Sequence, residues 1–158
     1  MLCMFDICDY GDGLMCCYTK KKPAYADDHR FLGVYTKAVS LHETQMSPFA
    51  SDIYKRACSI YNVNKAMGVA YEIVDSYNAH GFTAQESNVL FLTTYGQSMS
   101  RIAGLLNLSP RTIESHINNL KNKTGLRSKE QLIQYAIFTR LAQRIPIDLI
   151  FKKTYSVR

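Results

Sequence analysis

The sequence predicts an α+β first half followed by a compact all-α unit of four short helices. Three observations carry that expectation. MFDICDY and LMCCYT flank Gly11-Asp12-Gly13, so two apolar-rich segments meet at a turn-forming stretch. From Thr83 onward, helix starts and stops recur at short intervals. The net charge of +6 is unevenly spread: residues 1–81 hold 8 Lys/Arg against 9 Asp/Glu, and residues 82–158 hold 11 against 4.

In the first half, residues 4–10 and 14–19 read as two short strands of a hairpin. Lys20-Lys21-Lys22-Pro23 ends that unit. Residues 24–45 have patchy apolar spacing and are assigned as helical. Ser47-Pro48 opens a helix from about Phe49 to Asn62, because proline at a first helical position gives up no hydrogen bond. Val69 to Val74 reads as a third strand. Residues 1–78 are thus expected to form a small α+β region.

The second half is more sharply punctuated. Thr83-x-x-Glu86 is a capping box, in which the Thr hydroxyl and the Glu carboxylate each satisfy an otherwise open amide. The apolar run after it stops near Tyr95-Gly96. Ser98 or Ser100 begins a short second helix, and Asn107 suits the left-handed turn after it. Ser109-Pro110 starts a third helix that Gly125 ends. Ser128-x-x-Gln131 is a second capping box, opening a helix to about Gln143. Residues 82–143 therefore form the helical unit, and residues 144–158 are expected as a C-terminal tail.

The third helix has an unusual composition. With Ile113 as origin and about 100° per residue, Ile117, Leu120 and Thr124 fall within roughly 40° of one line. Arg111, Ser115, Asn118 and Asn122 lie about 140° to 200° away. Glu114 and Lys121 occupy one flank; Thr112, His116, Asn119 and Lys123 occupy the other. One apolar stripe is thus opposed by short donors and acceptors with cations at the margins. Short polar side chains suit base edges, and cations suit phosphates. With the short helix and turn before it, this is a helix-turn-helix whose second helix enters a major groove.

The blocks Phe82-Thr-Ala-Gln-Glu-Ser-Asn-Val-Leu90, Gly96-x-Ser-Met-Ser-Arg-Ile-Ala103, Leu108-Ser-Pro-Arg-Thr-Ile-Glu-Ser-His116 and Asn122-Lys-Thr-Gly-Leu126 occur in order. Together they resemble the LuxR (GerE-like) DNA-binding domain over about residues 82–141. The resemblance implies a helix-turn-helix from Met99 to Asn118, a recognition helix from Ser109 to Thr124 and dimerisation through the fourth helix. It implies base contacts from Arg111, Glu114, Ser115 and Asn118. Phosphate contacts are expected from Ser109, Thr112, His116, Lys121 and Lys123, with packing of His116 as the alternative. Leu132, Ile133 and Ala136 are expected at a two-fold contact.

The pattern departs from the family at three places. Gln85 and Asn88 stand where members often pair Arg with Glu, and Glu114 stands where many carry a cation. A carboxylate in the groove repels phosphate but accepts from cytosine N4. Residues 1–78 resemble a short, degenerate PAS-like or autoinducer-type sensor fragment, acting as sensor or dimerisation region. The expected function is a bacterial transcriptional regulator binding double-stranded DNA as a homodimer, with an unknown small-molecule signal. The alternative is a truncated interaction module that heterodimerises with a full-length regulator and inhibits it.

Other classes find little support. No apolar run approaches the roughly 20 residues of a membrane span, and the start lacks a basic signal region. A cytoplasmic protein with reduced Cys3, Cys8, Cys16, Cys17 and Cys58 is expected. Adjacent Cys16-Cys17 do not form a zinc pair, and Asp6, Asp9 and Asp12 lack EF-hand spacing. They are assigned as turn and edge-strand charges. No cofactor, metal or catalytic group is expected.

Overall fold

The computed structural model describes residues 1–9, 14–64 and 69–151. The chain divides into two compact units, Met1–Ile73 with the segment from Ile150, and Val74–Leu149.

The first unit is built on an antiparallel sheet. Its strands are β1 (Leu2–Asp9), β2 (Leu14–Tyr25), β3 (Phe31–Ser40) and β4 (Val69–Val74), in the spatial order β3-β2-β1-β4. The register of the expected hairpin runs from Leu2↔Lys21 to Asp9↔Leu14. Its turn, Gly11-Asp12-Gly13 and thus Asp12, lies outside the described residues. The third expected strand is β4, which pairs with β1. Residues 24–45, expected as helix, instead complete β2 and form β3. Lys22 and Pro23 do not end the hairpin unit but lie in its β2 strand, paired with Tyr35 and Val34.

Helix α1 (Pro48–Asn64) starts where Ser47-Pro48 predicts, with Ser47 Oγ accepting from the Ala50 amide at 3.0 Å. Its buried Phe49, Ala50, Ile53 and Ala57 meet a core that includes Phe5, Ile7, Cys16 and Tyr18. Phe5 pairs with Tyr18 and Ile7 with Cys16, so alternation places all four on one sheet face. The Tyr54 hydroxyl donates to the Leu14 carbonyl at 3.0 Å, tying the helix to β2. Burial, then neighbouring Cys17, Asp6 and Cys58, pushes the Cys16 thiol up to about 12. This thiol is an inert core group. Asp6, expected at an edge, is instead buried and accepts from the Thr19 hydroxyl.

Residues 144–151, expected within a tail, are folded. Ile145, Leu149, Ile150 and Phe151 are buried. The Ser47 amide donates to the Ile150 carbonyl at 2.6 Å, Met46 bridges Phe151, and the Phe151 ring meets Tyr18 edge-on at 5.6 Å. The first unit is therefore closed by residues that follow the second in the chain.

In the second unit, α2 (Ala84–Thr94), α3 (Met99–Leu106), α4 (Pro110–Thr124) and α5 (Lys129–Phe138) are the four expected helices. Helix α2 is buried from Glu86 to Thr93 because α3, α4 and α5 all pack on it. Both capping boxes are formed, and Asn107 is left-handed with φ 54°. Helix α5 ends earlier than expected: a left-handed Arg140 separates it from a 3-10 turn at Leu141–Gln143. The short strand β5 (Arg144–Pro146) follows.

Sequence inspection missed Tyr77. Its ring is buried, and its hydroxyl lies 2.6 Å from the Arg144 carbonyl and 3.2 Å from that of Leu141. Burial, only partly countered by Arg144, raises its pKa far above that of a free tyrosine. Tyr77→Phe is expected to cost about 1–3 kcal/mol by leaving the carbonyls without their donor. A fall in urea midpoint at unchanged slope checks this; an unmoved midpoint refutes it.

Candidate nucleic-acid interface

Helix α3 is held at its start by Ser98 Oγ, which accepts from the Arg101 amide at 3.2 Å. It buries Ile102 and Ala103 and ends at Asn107, where the left-handed backbone turns the chain sharply. Two residues later Ser109 caps α4, accepting from the Thr112 amide at 3.1 Å. Gly125, at φ 70°, ends α4 in the left-handed conformation that most side chains avoid. The helix-turn-helix angle is thus set by Asn107 and Ser109 and by packing of α3 and α4 on α2.

The α4 surface follows the expected wheel. Ile113, Ile117 and Leu120 are buried, while Arg111, Glu114, Ser115, Asn118, Asn119 and Asn122 are exposed. The Ser115 hydroxyl donates to the Arg111 carbonyl at 3.0 Å, leaving its lone pairs outward. Ser109 and Thr112 hydroxyls lie 2.8 Å apart at the helix start. With Pro110 first and the Thr112 amide capped, the Arg111 amide is the N-terminal donor left for an anion. Lys121 is half-buried on one flank. His116 is half-buried on the other, with Nδ1 turned into the protein.

Lys123, expected at the phosphate margin, is exposed and also makes contacts within the unit. Its ammonium donates to Glu86 Oε2 at 2.7 Å and to the Gly81 carbonyl at 3.0 Å. Glu86 is itself engaged by the Thr83 amide at 2.8 Å. Burial pushes the Glu86 carboxyl upward, but hydrogen bonds from Lys123 and Thr83 outweigh it, and the net shift is downward. The cation therefore joins the end of α4 to the start of α2. Gln85 is exposed and Asn88 buried, so Glu86–Lys123 supplies an ion pair in this unit, whereas residues 85 and 88 supply none.

The residues expected at a two-fold contact differ in exposure. Leu132 and Ala136 are each 1% exposed, on a helix that packs on α2 and α4 within the unit. Ile133 is half-buried. The apolar side chains that α5 leaves to solvent are Ile137, 54% exposed, and Phe138, 89% exposed.

Residues 80–136 match the family described as bacterial regulatory proteins, luxR family. This helix-turn-helix unit is a LuxR-family domain. The LuxR-family domain is similar to probable transcriptional regulator ycf29 of Cyanophora paradoxa, 37% identical over 60 residues, or 38% of this chain and 29% of that protein. It is also similar to response regulator Rre1 of Synechocystis, 36% identical over 56 residues, or 35% of this chain and 24% of that protein. The match to these curated relatives thus spans less than a third of their length. Among solved structures, a Vibrio cholerae VqmA dimer described as a LuxR-type receptor aligns over 96% of this chain and 61% of its own, at 24% identity and a TM-score of 0.49.

Proposed function

We propose that the protein is a transcriptional regulator that binds double-stranded DNA as a dimer, with α4 in the major groove. The observation that carries this is the exposed α4 face: Arg111, Glu114, Ser115 and Asn118 stand opposite a buried stripe of Ile113, Ile117 and Leu120. The LuxR-family match and the basic excess of residues 82–158 support it. Arg111, Glu114, Ser115 and Asn118 are assigned to base edges. Ser109, Thr112, His116 and Lys121 are assigned to phosphates, with the Arg111 amide beside them. The dimer contact on α5 is assigned to Ile137 and Phe138, with Ile133 at its margin. The first unit is the signal-receiving or dimerisation part, and its signal is a small molecule.

Selection of bound duplexes followed by titration at several salt concentrations tests this. Affinity is expected to fall with salt at a log–log slope of about −0.9 per phosphate neutralised. Lys121→Ala flattens that slope by about one unit, whereas Lys123→Ala, engaged by Glu86, leaves it unchanged. Glu114→Gln relaxes selectivity at one base pair by about 1–3 kcal/mol. Absence of a complex with any duplex at low salt overturns the proposal and favours the module that pairs with a full-length regulator.

A further inference from the structure

The first unit carries a second surface, outside the helix-turn-helix. Strand β3 lies at one end of the sheet, paired on one side with β2. Both of its faces are open: Phe31 is 58% exposed, Leu32 61%, Val34 57% and Tyr35 62%, and the adjoining Tyr25 58%. With Val39 these side chains expose on the order of 600 Å² of largely apolar surface, divided by strand alternation between one face with Phe31, Tyr35 and Val39 and another with Leu32 and Val34. An outer strand also presents a row of backbone donors and acceptors.

We propose that β3 pairs antiparallel with β3 of a second copy of this chain, about a two-fold axis at Tyr35. That register sets Phe31 against Val39, Leu32 against Ala38, Gly33 against Lys37 and Val34 against Thr36. Aromatic and β-branched residues then meet across the strands, the pairs that stabilise sheets most. Lys37 is the single charged residue of β3, and it falls opposite Gly33, where nothing lies within 4 Å of a side-chain position. The two Lys37 residues stand four residues from each other's cross-strand partner, about 13 Å along the strands, beyond a Debye length of about 8 Å. Moving the axis to Lys37 would instead place the two cations face to face. Edge pairing over this ten-residue strand covers its open backbone groups and the flanks of side chains on both faces. Because the pairing consumes the open edge of both copies, it closes at two.

This pairing is independent of DNA binding and of α5, and the test separates them. Sedimentation of the full chain without DNA, in a Phe138→Lys background, is expected to show a dimer. Tyr35→Lys in that background is expected to raise the dissociation constant by about tenfold or more. Both substituted side chains are exposed, and circular dichroism confirms that the fold survives. Tyr35→Cys is expected to form a disulfide-linked dimer above the wild-type level. Phe31→Cys alone should not, while Phe31→Cys with Val39→Cys should. A monomer at about 100 μM, species larger than dimers, or equal cross-linking through Phe31→Cys alone overturns the proposal.

Discussion

Leu132→Ala is expected to destabilise the helical unit by about 2–5 kcal/mol, the range for a large aliphatic removed from a packed core. For a unit of this size that corresponds to a fall in melting temperature on the order of 10–30 °C. The effect comes from the packing lost and the cavity left in the unit's core, since Leu132 is 1% exposed. Phe138→Ala is the matched control: at 89% exposure it removes nothing from the core, and its expected cost is within about 0.5 kcal/mol. Thermal melts at low protein concentration compare the two. A Leu132→Ala variant that melts like wild type yet loses self-association would return Leu132 to the subunit interface.

The second large effect is expected at Lys123. Lys123→Met leaves a carboxylate whose side chain is 4% exposed without its cation. Breaking a fully buried pair costs about 3–5 kcal/mol. The lysine side chain is 39% exposed, so screening reduces the expected loss to about 1–3 kcal/mol. The pH dependence identifies the cause. Glu86 has a lowered pKa in the folded state, so its stabilisation is complete above the unfolded value of about 4.3 and disappears as pH falls through the folded value. The difference between wild type and Lys123→Met should therefore be greatest near neutrality and close in acid. Adding Glu86→Gln should recover part of the loss. Parallel pH profiles for the two proteins would show that the ion pair contributes nothing.

The helical unit was legible in the sequence because its ends are written in local chemistry. Thr83, Ser109 and Ser128 act through amides three residues away, and Asn107 and Gly125 through their own backbone conformations. None depends on tertiary contact. Strand β3 was illegible for the converse reason. Exposed on both faces, it has no alternation of buried and open positions, and Phe31, Leu32, Tyr35 and Val39 happen to recur at helical spacing. Its β-branched and aromatic content was the available signal.

On α5 the apolar stripe spans Leu132 to Phe138, and periodicity alone does not say which flank meets its own core. The exposed, polar side of α4 was legible as a face. Lys123 was not, because its partner Glu86 lies 37 residues earlier, beyond any local pattern.

The return of Ile150 and Phe151 to the first unit fixes an order in time as well as in space. During synthesis the sheet and α1 emerge first, but the partners of Ser47, Met46 and Tyr18 are made only after Val74–Leu149. At about 5–20 residues per second, that interval lasts about 4–15 s. Until then the unit that leads in the chain lacks the burial that Ile150 and Phe151 supply. The first unit therefore cannot complete its core until the whole of Val74–Leu149 has been made.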